Sequence, residues 1–182
     1  QAMGFCYFNH IAIGARYAQQ HGFAKIAIID WDVHHGNGTQ HSFEKDPNIF
    51  FFSVHQSPHY PETGMSQEQG VGPGLGATLN VPVRQGCDDK DYLDIFRNTL
   101  RPALDHFNPD LIMLSAGFDA HRADPLGGIM LTEQGYADLT REVLEMANLY
   151  CQGRLISVLE GGYDLEATAA SVAAHVRELM EF

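Results

Sequence analysis

Cysteine and positive charge are both scarce in this chain. Only Cys6, Cys87 and Cys151 occur in 182 residues, and no two share a Cys-x-x-Cys spacing. That excludes a cysteine-ligated zinc finger and a disulfide scaffold, and the thiols read as reduced core groups of a cytoplasmic protein. Eleven Lys and Arg stand against 23 Asp and Glu, a formal charge of −12. Nucleic acid is gripped by a basic face, so the balance argues against direct nucleic-acid binding, while a cationic substrate is compatible with it. The chain also lacks a membrane-spanning apolar run, a secretory leader, an internal repeat and any low-complexity tract. Gln1 is not a natural initiator, and the abrupt opening reads as part of something longer.

What is present is a globular composition, 45% hydrophobic, in one domain's worth of residues (1–182). Helical spacing over Asn9–His21 ends at Gly22, and a second helical pattern runs over Asp88–Phe107. Thr132 caps a third helix reaching about Tyr150, and a last helix spans about Leu165–Met180. Apolar runs at Lys25–Ile29, Ile49–Val54, Leu111–Ser115 and Leu155–Leu159 read as strands. They are continuously apolar rather than alternating, which suits strands covered on both faces. Residues 56–78 are rich in Gly, Pro, Ser and Gln and read as a long functional loop. Strand–helix alternation of this kind predicts an α/β fold around a mainly parallel sheet, with helices on both faces. Ligands then bind beyond the carboxyl ends of the strands.

Three strands open into polar turns. The first leads into Asp30-Trp-Asp-Val-His-His-Gly36, the third into Ala116-Gly-Phe-Asp-Ala-His121 and the fourth into Glu160-Gly-Gly-Tyr-Asp164. In extended chain Asp30, Asp32 and His34 can point one way. Carboxylate oxygens beside an imidazole suit Zn²⁺ or a similar divalent ion. Spacing leaves open whether the ion takes Asp30, Asp32 and His34, or two of these with Asp119. His35 alternates away from His34 and reads as a packed histidine. His55, His59 and His121 read as solvated groups in loops at the rim.

Met3-Gly-Phe-Cys-Tyr-Phe-Asn9, Asp30-Trp-Asp-Val-His-His-Gly-Asn-Gly-Thr39, Ser115-Ala-Gly-Phe-Asp-Ala-His121 with Asp124-Pro-Leu-Gly-Gly128, and Leu159-Glu-Gly-Gly-Tyr163 together resemble the histone deacetylase superfamily. The flavour is that of its class II and bacterial amidohydrolase branch, with acetylpolyamine amidohydrolases among the relatives. The resemblance implies the arginase–deacetylase α/β fold. It implies Asp32, His34 and Asp119 as ligands of Zn²⁺, with Fe²⁺ as the other metal. Tyr163 is implied as the catalytic hydroxyl that meets the developing oxyanion. Asp30 and Ser53, with backbone carbonyls of Asp32, His34 and Val54, are implied to hold a structural K⁺ or Na⁺. Phe5 and Tyr60 would wall an acyl-lysine channel, and Gly161 and Gly162 would admit the substrate stem. Leu126 stands where some polyamine-selective relatives carry an acidic gatekeeper, which favours acyl-lysine or a broad substrate range, with an acylated lysine peptide or an acylated small amine as the partner.

One departure stands out. The family's His-His general base follows a Pro-Gly upstream of the Met3-Gly-Phe-Cys block, and no such pair occurs in this chain. Asp30 matches the residue orienting one of those imidazoles, and Asn37 the residue orienting the other. The missing segment also supplies the first strands of the sheet in the family, so an exposed edge is expected. The leading expectation is a zinc-dependent amidohydrolase domain lacking its N-terminal portion. The first alternative is a catalytically impaired fragment that binds metal and acyl ligands. The remote one is a phosphatase of the haloacid dehalogenase type, whose Asp-x-Asp resembles Asp30-Trp-Asp32 but is followed by Thr or Val where His34 stands.

Overall fold

A computed structural model describes residues 2–181. Its centre is a sheet of β1 (Ile26–Asp30), β2 (Ile49–Gln56), β3 (Thr78–Val83), β4 (Leu111–Ala116) and β5 (Leu155–Leu159). The strands lie in the order β3-β2-β1-β4-β5 and every neighbouring pair is parallel. Six α-helices accompany them: α1 (His10–Gln20), α2 (Asn37–Phe43), α3 (Asp89–Ile95), α4 (Arg101–Phe107), α5 (Glu133–Cys151) and α6 (Leu165–Glu181).

The apolar runs form strands because two layers of core bury both of their faces. Alternate residues of β1 and β4 sort into separate clusters. Ala27, Ile29, Ile112 and Leu114 pack with side chains of α3, α4 and α5, including Tyr92, Leu104, Tyr136 and Val143. Ile26, Ile28, Leu111 and Met113 pack with Ile11, Ala15 and Phe43 from α1 and α2. Ile26, Ile28 and Ile29 have no exposed surface, and each contributes roughly 1.5–3 kcal/mol by leaving water.

The chain steps outward from β1 through β2 to β3, then crosses back to the other side of β1 for β4 and β5. Loops leaving β1 and β4 therefore diverge, and a crevice opens between them at the carboxyl ends. Register places Asp30 opposite both Ser53 and Ser115, so the three central strands end in one row.

Several boundaries differ from expectation. β1 runs through Asp30, β2 through Gln56 and β4 through Ala116, which carries polar residues into the sheet. β3, Thr78-Leu-Asn-Val-Pro-Val83, was not among the expected strands and carries Asn80 and Pro82. As the outer strand it needs no amide donor from Pro82 on its free side. The 56–78 loop is not featureless, since Gly72–Gly74 forms a 3-10 turn. The Asp88–Phe107 pattern is not one regular helix: a π-helical turn at Phe96–Leu100 separates α3 from α4. Pro102 lies at the start of α4 and cannot donate to the turn before it, and the wider turn accommodates the break. On the opposite edge, Ile156 and Leu159 of β5 stand exposed. Among the described residues no helix is long and apolar enough to cross a membrane.

Candidate metal centre

The crevice between β1 and β4 gathers Asp32, His34 and Asp119. One ligand atom from each lies within 4.8 Å of the others. His34 Nδ1 stands 3.1 Å from Asp32 Oδ1 and 3.1 Å from Asp119 Oδ2. Asp119 is fully buried. Asp30 is not a member of this group. β1 stops at Asp30, so strand alternation does not continue to Asp32, and the Asp30 carboxylate instead accepts the Asp32 amide at 3.0 Å.

Backbone amides hold both acidic side chains in place. Asp32 Oδ1 accepts from His34 N at 2.8 Å and Oδ2 from Gly161 N at 2.9 Å. Asp119 Oδ1 accepts from Val33 N at 2.8 Å. The loops after β1, β4 and β5 are thus tied together through the acids.

Electrostatics here report a deficit of positive charge. Burial alone would lower the His34 imidazole, but hydrogen bonds to Asp119 and Asp32 raise it to about 10. Burial and the Asp32 charge push Asp119 upward. Burial, then the charges of Asp32 and Glu160, push Asp30 well above the carboxylate range. Two acids sharing one imidazole proton make an unbalanced set, and a dication with oxygen and nitrogen preference fits it.

Aromatic rings surround His34. His59 stacks on it at 5.0 Å, while Tyr60 and Tyr163 meet it edge-on at 6.2 and 6.4 Å. Phe5, exposed and at φ +63°, meets Tyr163 edge-on at 6.1 Å. Burial, reinforced by Asp119, Asp32 and Asp124, pushes the Tyr163 hydroxyl up to about 12. Gly161 has no room for a side chain, because a Cβ would overlap Asp119 Oδ2 and lie 2.8 Å from Asp32 Oδ2. Gly162 has φ +149°, and a Cβ there would lie 2.7 Å from Thr168 Oγ1. Leu126 is partly exposed at the rim.

Other sequence candidates fall around this group. Ser53 is buried beside Asp30 in the sheet, and its hydroxyl pairs with His55 Nδ1 at 2.9 Å. Val54 is buried. His35 is buried, with Nδ1 2.7 Å from Thr63 Oγ1 and Nε2 2.9 Å from Gln40 Oε1. Asn37 begins α2, with Nδ2 3.6 Å from Met3 Sδ. The expectation of solvated rim histidines fails for two of three. His55 lies inside β2 and is buried against His35 at 4.7 Å, and burial lowers it to about 4. His121 is buried too, its Nδ1 accepting from Ala123 N at 3.1 Å.

Sequence reasoning passed over Asp124 as a site residue. Its carboxylate accepts Leu126 N at 2.8 Å and Tyr163 N at 2.7 Å. The first contact was legible, since Asp-x-Leu is an Asx-turn spacing. The second is not local.

The sequence model of the histone deacetylase domain matches residues 1–179. Histone deacetylase 14, chloroplastic, of Arabidopsis thaliana is 46% identical over 179 residues, covering 98% of this chain and 42% of that protein. The crystal structure of the HDA15 HD domain superposes with a TM-score of 0.95 at 41% identity, covering 100% of this chain and 52% of that one. The histone deacetylase Clr3 superposes at 0.89 and 37% identity, covering 96% of this chain and 30% of that one. The chain thus spans about half, or less, of the relatives it matches. Its parallel sheet with helices on both faces is part of the arginase–deacetylase fold, and the chain belongs to the histone deacetylase family.

Proposed function

We propose that this chain carries the metal-binding and oxyanion-facing part of a zinc-dependent amidohydrolase that removes acetyl or another small acyl group from lysine side chains. The observation that carries this reading is the convergence of Asp32, His34 and Asp119, with the Tyr163 ring edge-on to His34 at 6.4 Å. Those three side chains would hold Zn²⁺, or Fe²⁺ in its place. A divalent ion there supplies Lewis-acid polarisation of an amide carbonyl and of water.

The protein's own groups do the rest. Tyr163 keeps its proton at neutral pH and can donate a hydrogen bond to an amide oxygen as that oxygen gains charge. Tyr60, His59 and Phe5 place aromatic rings around the approach to His34 and Tyr163. Gly161 and Gly162 leave the backbone bare where a substrate stem would pass. Leu126 gives the rim an apolar side, which favours an acylated lysine peptide over an acylated polyamine. Asp30 and Ser53, with the carbonyls of Asp32, His34 and Val54, would hold K⁺ or Na⁺. The three unpaired thiols fit a reducing compartment such as the cytoplasm.

Proton transfer to the leaving amine is the weak point. His34-His35 is the one adjacent histidine pair in the sequence. His34 is engaged by Asp32 and Asp119, and His35 by Thr63 and Gln40. Neither is free to act as a general acid, a role worth typically about 10²–10⁴-fold. A chain that binds zinc and acyl ligands but turns over slowly is therefore the second reading. Zinc content and hydrolysis of an Nε-acetyl-lysine peptide, measured on one preparation, test both. Stoichiometric zinc is expected, and its absence would defeat either reading.

A further inference from the structure

We propose that Asp124 is a positioning residue that couples the channel rim to the Tyr163 hydroxyl. The inference rests on the reading of Tyr163 as the donor to substrate. Asp124 is buried, 6% exposed, and belongs to neither the ligand cluster nor the channel wall. Oδ1 accepts from Leu126 N at 2.8 Å. Oδ2 accepts from Tyr163 N at 2.7 Å and Asp164 N at 3.3 Å. One carboxylate thus gathers three backbone donors from two loops, the one after β4 and the one after β5. Hydrogen bonds to an ionised acceptor are about twice as strong as neutral ones.

The same turn is fastened on its far side. Leu126 O accepts from His59 Nε2 at 2.9 Å, and Gly128 N donates to Gln56 Oε1 at 2.7 Å. Residues 124–128 therefore touch both the loop after β2, which carries Tyr60, and the loop after β5, which carries Tyr163. On the other flank, Asp164 Oδ1 accepts Ala167 N at 2.8 Å and fixes the first turn of α6. Tyr163 is held between that turn and Asp124. A small rotation of its backbone is magnified at the phenol oxygen, the atom whose placement matters.

Asp124→Asn cuts one arm selectively. The local Asx turn keeps the amide oxygen toward Leu126 N, so the NH₂ group faces Tyr163 N–H, donor against donor. Amide hydrogen exchange should then accelerate at Tyr163 and Asp164 and stay unchanged at Leu126. In the longest natural form of the protein, kcat on an Nε-acetyl-lysine peptide should fall about 10- to 100-fold. KM and bound zinc should not change. In a Tyr163→Phe background, Asp124→Asn should cost nothing further. A carboxylate that only held the fold together would lower the melting temperature without this split. Unchanged exchange at Tyr163, or losses from Asp124→Asn and Tyr163→Phe that multiply, would overturn the proposal. Full activity in Tyr163→Phe would instead overturn the reading of the phenol, with exchange at Tyr163 still raised in Asp124→Asn. If the Asn variant fails to fold, Asp124→Glu, which keeps the charge and displaces both oxygens, serves the same comparison.

Discussion

Asp32 Oδ2 accepts the Gly161 amide at 2.9 Å across 129 residues of sequence. The contact joins the loop after β1 to the loop after β5 over the carboxyl end of β4. It also sets the Asp32 carboxylate beside that of Asp119, with the His34 imidazole between them.

Gly161→Ala should therefore weaken metal binding. Its methyl would collide with the Asp119 and Asp32 oxygens, and disturbing the groups that orient ligands costs typically about 10–100-fold in affinity. Chelator competition for zinc measures this. Wild-type affinity in Gly161→Ala would mean that the carboxylates move aside freely.

Asp32→Ala and Asp119→Ala should each abolish stoichiometric zinc, whereas Tyr163→Phe should retain it. The acids contribute charge and donor atoms, whereas the Tyr163 ring meets His34 edge-on at 6.4 Å and is not a member of the ligand cluster. Elemental analysis of the three variants decides, and equal metal loss in all three would contradict this division of roles.

Stability should fall as pH drops from about 6.5 toward 4. Burial pushes His175 from 6.5 down to about 4, where it bonds Thr140 Oγ1 and Ser157 Oγ. Within that window the unfolded chain binds a proton that the folded one refuses. The stabilisation is fully present above 6.5 and lost by about 4, of the order of 3 kcal/mol. Asp30 and Asp119, both raised, act in the opposite sense, so the comparison is made by difference. Denaturant midpoints of His175→Gln should show a shallower pH slope than wild type below 6.5. Parallel curves would refute the assignment.

The 182-residue chain should hydrolyse an acetyl-lysine substrate far more slowly than a longer natural form that adds a proton-transferring histidine. Turnover by the short chain at about 10 s⁻¹, an ordinary enzyme rate, would contradict this. Replacing His35 and His59 in turn would then locate the base.

Much of the molecule was legible in sequence because its determinants are local. Continuous apolar runs made β1, β2, β4 and β5 recognisable, and Asn9 and Thr132 marked helix starts that the structure places at His10 and Glu133. The polar turns after β1, β4 and β5 marked where chemistry would gather. Tertiary structure decided the rest, wherever a residue's role depends on what crosses over to it. Periodicity left two ligand sets open, and the crossover that puts β4 beside β1 brings Asp119, not Asp30, to Asp32 and His34. β3 is a strand because β2 offers it an edge, despite Asn80 and Pro82. His55 is polar by type yet buried, because the Ser53 hydroxyl and the Gly64 carbonyl pair both its ring nitrogens, and His121 is buried with Nδ1 on the Ala123 amide and Nε2 3.5 Å from Glu133. Asp124 shows the division within one side chain. Its bond to Leu126 spans two residues and follows from the chain itself, whereas its bond to Tyr163 spans 39 and exists only once β4 and β5 lie side by side.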